Sequence, residues 1–492
     1  MNVQPVFPFR KWTLGDLLAC LLPFLFMLAV ACMCLKTNNF ELNPDEGGNL
    51  MKALLVGRGH PLYVETWSDQ PPLFTHALAL LFKVTGPSVE SGRMLVVVAS
   101  GLLLWGVFQH ARLAGGTATA VGGLVLVACL PYYLKLSCSV MIGLPALACA
   151  VLSLAAHARW RRTRMPGLLA ASSALLALSV LIKGFTLVLL PAVALGMLLD
   201  RELGTFRERM SGLLLWVGVF AGVALSMVLV LVGPGNLDQL ITTHWKALRT
   251  DACGGTTLRS SLRHTYPVLL LAAGGGCTAW RRRNLDALYV ALWAFLAAGV
   301  LLFHRPLWNH QQLLLSVPSA MLAAELVTDV PRLWHHLSRR NTKWPGRLAA
   351  GLLLTLGLAL AGAHVRFAVR TAARWMGGND RIKHADDWNL VDIMARRAGA
   401  TNWVVTDRPI YAFRAGLLVP PEMAVLSRKR VFTERSGDGW MLACLRRYRP
   451  EQVALARFPW AGLRPYLEVR YRPGYQRSGR DLFLLATPFH SE

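Results

Sequence analysis

Charge is the scarce resource in this chain of 492 residues. Only 16% of them are Asp, Glu, Lys or Arg, against 54% hydrophobic, and the mean hydropathy is +0.41. So little charge cannot solvate the surface of a water-soluble fold of this size, which excludes a set of soluble domains. Cysteine chemistry is lacking too. The nine cysteines are scattered, seven of them in or beside apolar runs, with no CxxC and no His/Cys ligand spacing. Neither a disulfide framework nor a zinc site follows, and the thiols read as small apolar packing residues. No Walker motif and no dinucleotide fingerprint is present, so nucleotide chemistry is excluded as well.

What is there, repeatedly, is apolar sequence in runs about as long as a bilayer is thick. Eleven such runs can be read: 14–35, 94–108, 118–134, 140–157, 168–182, 185–199, 213–232, 267–280, 286–303, 311–329 and 348–367. Acid is rarer than base, giving a net charge of +25. The basic residues do not form one patch of the kind nucleic acid requires. They cluster between apolar runs, as RWRRTR (159–164), RELGTFRERM (201–210), Arg281 to Arg283 and the stretch from Arg332 to Arg347. With the N-terminus in the cytoplasm, all these clusters fall on the cytoplasmic side, as the positive-inside rule expects. Eleven spans then put the remainder of the chain outside.

From residue 368 onward the composition turns polar and rich in arginine. NWVVTD (402–407), QVALAR (452–457) and DLFLLA (481–486) read as short buried strands, and 386–398 and 438–448 as helices. The expected fold is a polytopic α-helical membrane protein of about eleven transmembrane helices with a small C-terminal extracytoplasmic α/β domain. The expected division is 1–367, including a first outer loop at 36–93, and 368–492.

That first loop carries the chemistry. Its segment 43–73, NPDEGGNLMKALLVGRGHPLYVETWSDQPPL, holds Asp45, Glu46 and Asp69 directly after the first span. Pro71 and Pro72 then start a short apolar helix, too short to cross comfortably and expected at the surface. On the plainest reading Asp45 is a loop acid or the N-cap of a helix. Other outer turns, however, supply cations: Lys183, His244, Lys246, Arg249, Arg305 and His310. Carboxylates facing cations at a lipid–water boundary suit transfer of a group from a lipid phosphate. A carboxylate activates the acceptor hydroxyl, and Arg, Lys, His⁺ or a divalent metal ion takes up the charge on the departing phosphate.

Pro44-Asp45-Glu46, Asp69-Gln70-Pro71-Pro72-Leu73, Arg93, Lys183-Gly184 and HRPLWNHQQLLLSVPSAMLAA (304–324) together resemble the GT-C superfamily of polyprenyl-phosphate-sugar glycosyltransferases. Within it they are most similar to glycosyltransferase family 39, the protein O-mannosyltransferase and aminoarabinose-transferase type. The resemblance covers about residues 14–330. It implies surface helices in the first loop beneath the acceptor, a lipid donor docked between spans, and Asp45 as the catalytic base. Glu46 and Asp69 are then expected beside the acceptor or a metal ion, and Lys183, Arg305, His310, Gln70 and His244 around the donor phosphate. The chain departs from the pattern at Gln70, where many relatives have a lysine that holds the phosphate. The implied partners are a polyprenyl-phosphate-sugar donor, a glycan, lipid or protein acceptor, and the bilayer, with no nucleic acid. The implied location is the cytoplasmic (inner) membrane with an outward-facing site. A transporter or flippase is the competing reading, but it would place charges at the bilayer midplane and show internal repeats, and neither is visible.

Overall fold

The computed structural model describes residues 13–37, 39–248, 258–263, 265–304, 307–338, 344–377, 380–398, 403–433, 437–477 and 479–485. Helix fills each of the eleven apolar runs. The first span ends in α1 (Leu22–Thr37), and two shorter helices follow, α2 (Asp45–Gly57) and α3 (Leu73–Thr85). The bundle continues through α4 (Val89–Gly115), α5 (Thr117–Ala128), α6 (Pro131–Ser137), α7 (Gly143–Thr163), α8 (Pro166–Ile182), α9 (Leu189–Leu199) and α10 (Phe206–Leu231). After α11 (Leu237–Leu248) it closes with α12 (Tyr266–Arg281), α13 (Leu285–Phe303), α14 (Leu313–Ala323) and α15 (Trp344–Met376). Among the described residues six helices are long and apolar enough to cross a bilayer, or seven if the bent pair α5–α6 is one span. That pair bends by 74° because Pro131 has no N–H to continue the first helix and starts a second at its first position.

Local sequence sets several helix starts. The Ser88 hydroxyl accepts from the Ser91 amide at the head of α4. Thr205 and Glu208 form a reciprocal capping box on α10. The side chain of Asn284 caps α13 and also donates to the Ala114 carbonyl at the end of α4.

Burial separates the centre of the bundle from its rim. In the apolar windows of Asn309–His335 and Val89–Gly115, 78% and 61% of residues are buried. In Phe206–Leu231 and Trp344–Arg374 the shares are 6% and 11%, so α10 and α15 are peripheral. Leu352, Leu353, Leu356 and Leu358 stand exposed on α15, an apolar exterior suited to acyl chains and not to water. The chain is a multi-pass membrane protein.

Charge gathers at both ends of α4. At its start, Arg93 meets α2. At its other end, Arg162 donates to the Leu113 carbonyl and to Asp286, while Arg161 bridges Asp286 and Asp200 at 2.5 and 2.6 Å. Nearby, Asp329 faces Arg281, Arg282 and Arg332. The stretch of α4 from Arg93 to Leu113 holds these two clusters about 30 Å apart at ~1.5 Å per residue.

The C-terminal part comprises α16 (Ala385–Arg396), β1 (Val404–Thr406), α17 (Pro409–Arg414), α18 (Asp438–Tyr448), β2 (Gln452–Leu455), β3 (Tyr471–Arg477) and β4 (Arg480–Leu485). The strands form one sheet in the order β1-β2-β4-β3, with β1 and β2 parallel and the other pairs antiparallel. β3 is the strand the sequence pattern did not reveal. It lies at the edge, only its first residue is buried, and it carries Pro473 and Gly474, which a central strand would not tolerate.

Candidate active site

The site is built on the first turn of α2. The Asn43 side chain accepts the Asp45 amide at 3.1 Å, so Asn43 covers the helix start and Asp45 is the first helical residue, not its cap. This leaves the Asp45 carboxylate exposed.

Glu46, one residue on, points the other way. It is fully buried, takes two hydrogen bonds from Arg93 at 2.8 and 2.9 Å, and a third from the Val140 amide at 2.9 Å. Asn49 donates to the Val140 carbonyl at 2.9 Å, so α2 holds both backbone groups of Val140. Glu46 therefore fastens α2 to the bundle and is not placed to meet an acceptor or a metal ion.

Lys52 follows Asp45 by seven residues, two helical turns, and shares its face. It is buried, it donates to the Ser68 hydroxyl at 3.3 Å, and burial pulls its ammonium down to about 8 against the fields of Asp69 and Asp45. Asp69 is buried beside it. The His244 Nε2 atom lies 2.9 Å from the Asp69 carbonyl and 3.9 Å from its carboxylate. Gln70 contributes its backbone: its carbonyl accepts from the Tyr63 and Ser68 hydroxyls. Gln239 of α11 joins the same loop by donating to the Tyr63 carbonyl at 2.6 Å. Asp45, Asp69, Gln70 and His244 thus come together around Lys52.

Asp45 also lies within the electrostatic reach of residues that sequence reasoning missed. Glu41, in the turn before α2, is largely buried, and burial raises its carboxyl to about 7 although Arg408 opposes the rise. Arg408 lies 3.9 Å from Glu41, and Arg457 carries the fields of both Asp45 and Glu41. Both arginines come from the C-terminal sheet domain. Arg457 is placed by Asp407, whose carboxylate accepts from the amides of Ala456, Arg457 and Phe458 and from the Trp460 indole. Lys52 was missed as well, although its seven-residue spacing from Asp45 could have found it. No local pattern announces Glu41, Arg408 or Arg457.

A second cationic group lies nearby. Lys183 is buried with its ammonium 4.7 Å over the Phe185 ring and close to Gly143, three residues, at most about 11 Å of chain, from Val140. His310 sits in the fields of Lys183 and of Lys135. Lys183, His310 and Lys135 therefore lie within one another's electrostatic reach. Arg305 and Arg249 lie outside the described residues. The metal alternative finds no ligand set: among the described residues no three His, Cys, Asp or Glu side chains meet in a way that would hold an ion.

None of the curated proteins matches the sequence. The family model for dolichyl-phosphate-mannose-protein mannosyltransferase matches residues 69–232. Among solved structures, ArnT from Cupriavidus metallidurans bound to undecaprenyl phosphate superposes with a TM-score of 0.66 at 13% identity, covering 94% of this chain and 97% of that one. The chain has a GT-C fold. The GT-C likeness extends to the apo state of the same ArnT (TM-score 0.66, 14% identity, 95% and 98% covered). It extends also to the archaeal oligosaccharyltransferase AglB from Archaeoglobus fulgidus, in complex with an inhibitory peptide and a dolichol phosphate (0.56, 12%, 88% and 69%). The resemblance read from the first-loop residues agrees with this GT-C architecture.

Proposed function

We propose that this protein transfers a sugar from a polyprenyl-phosphate donor to an acceptor hydroxyl, with inversion at the anomeric carbon and Asp45 as general base. The observation that carries the reading is the exposed Asp45 carboxylate at the head of α2, flanked by Lys52 and Arg457 on a GT-C scaffold. Similar GT-C structures hold undecaprenyl phosphate or dolichol phosphate, which supports a lipid-phosphate donor here.

In this mechanism Asp45 accepts the acceptor's hydroxyl proton as the oxygen bonds to the anomeric carbon. The bond from that carbon to the phosphate oxygen breaks, and the electron pair leaves with the phosphate. A carboxylate within hydrogen-bond reach contributes ~10²–10⁴-fold in rate. The phosphate gains charge as it departs, and Lys183, Lys135 and His310 stabilise it there. Lys183 and Lys135 compensate for Gln70, which brings no cation. The site faces the outside of the cytoplasmic membrane, because the arginine clusters at the far end of α4 mark the cytoplasmic side.

Purified protein is supplied with a panel of undecaprenyl-phosphate-linked hexoses and pentoses, and release of the lipid phosphate is measured. Asp45→Asn should express and fold normally and lose at least ~10²-fold of turnover. Retained turnover removes Asp45 from its role. Sidedness is tested separately by Val64→Cys, exposed in the same loop. A membrane-impermeant maleimide should label it in intact cells, and protection would reverse the orientation.

A further inference from the structure

The catalytic segment is not held by the membrane bundle alone. Helix α17 of the sheet domain sits directly on the first turn of α2. A Cβ on Gly47 would lie 2.5 Å from the Ile410 amide nitrogen, so only glycine admits this approach. From the same helix Arg414 donates to the carbonyls of Asn39 and Phe40 at 3.0 and 2.8 Å. Its guanidinium packs against two rings, 4.9 Å from Phe40 and 4.6 Å from Trp388. Phe40 is 1% exposed and also meets the edge of Trp388 and the Tyr411 ring.

One residue before α17, Arg408 reaches the Glu41 carboxylate and donates to the Tyr411 hydroxyl at 3.2 Å. It is backed by Asp387, 3.8 Å away, which also takes hydrogen bonds from Arg480 of β4, Tyr411 and His384. Burial opposes the charge on Asp387, yet those bonds hold its carboxyl down at about 2, so the anchor stays ionised. An unbroken chain of contacts thus runs from β4 through α16 to the turn that presents Asp45.

We propose that Arg408 and Arg414 are positioning residues for Asp45, and that the sheet domain, acting through them, fixes the segment Asn39–Asp45 from which the base projects. The proposal rests on the reading of Asp45 as base. It makes the C-terminal domain part of the catalytic apparatus, not only a place for the acceptor to land. Seven residues join α1 to α2, and two charged contacts remove the freedom such a turn would otherwise have.

The test uses the full-length protein in detergent and compares wild type, Arg414→Ala, Arg414→Lys and Arg408→Ala, with Arg470→Ala, an exposed arginine of the same domain, as control. Hydrogen exchange is followed in peptides covering the turn before α2, and turnover is measured with whichever donor of the panel wild type accepts. Arg414→Ala should speed exchange of the Asn39–Asp45 amides at least tenfold and leave peptides in α4 and α7 unchanged. It should lower kcat at least tenfold and leave KM for the donor within twofold. Arg414→Lys, which still donates to a carbonyl, should recover part of both effects, and Arg408→Ala should behave as a milder Arg414→Ala. Unchanged exchange in that turn overturns the proposal, as does accelerated exchange with kcat intact. If wild type turns over no donor, the proposed function fails, and the exchange experiment still decides whether these arginines hold the turn.

Discussion

The Glu46–Arg93 pair lends itself to a quantitative test. The two side chains are 0% and 4% exposed, and the carboxylate has three donors, two from the guanidinium and one from the Val140 amide. Arg93→Leu strands a buried carboxylate with one donor, which costs about 3–5 kcal/mol. Glu46→Leu strands the guanidinium by a similar amount and orphans the Val140 amide, adding about 1–3 kcal/mol. The double variant Glu46→Leu/Arg93→Leu removes both charges and leaves only the amide unpaired, so about 1–3 kcal/mol remains. The singles therefore sum to more than the double by roughly 6 kcal/mol or more, a coupling expected only of groups that act as one. Unfolding by SDS titration in mixed micelles, followed by the fluorescence of the fully buried Trp216 and Trp293, gives the three free energies. A cost under about 1 kcal/mol for Arg93→Leu, or a double variant equal to the sum of the singles, would refute the reasoning.

Glu41→Gln tests the proton on Glu41. Its folded carboxyl titrates at about 7 against an ordinary 4.5, so between those values the folded state keeps a proton that the unfolded state has released, and stability falls as pH rises through that window. The variant should match wild type below pH 4.5 and exceed it by about 3 kcal/mol above pH 7, and a constant difference across the window would contradict the assignment. Asp407→Ala leaves three backbone amides and an indole without their acceptor; it should speed hydrogen exchange across 456–460 and lower turnover by freeing Arg457. Gly275→Ala would drive a methyl group into the Leu322 carbonyl where α12 crosses α14, and should lower stability in the same SDS titration by about 1–3 kcal/mol.

Helix in the apolar runs was legible because a bilayer imposes length and apolarity on each helix separately; the count of eleven spans was not, since among the described residues six or seven helices are long and apolar enough to cross. The bend between α5 and α6 had a local cause in Pro131, but its angle is set by packing. The acid pair shows where the sequence stops. Asp45 and Glu46 are adjacent and chemically alike, yet a helix turns ~100° per residue, so one faces out and the other locks onto Arg93, 47 residues away. Arg408 and Arg457 were illegible for a related reason. They come to Glu41 from more than 360 residues along the chain, and no spacing rule reaches that far.

The charged clusters at the two ends of α4 will answer differently to ionic strength. Around Asp329 the arginines are open to solvent, Arg281 and Arg332 each 61% exposed, and at 1 M salt the Debye length is only about 3 Å, so those attractions fade. The guanidinium facing Glu46 is sealed from ions by the bundle itself. Brine should therefore slacken the contacts around Asp329, while the buried clasp of Arg93 on Glu46 and that of Arg161 on Asp286 and Asp200 both hold.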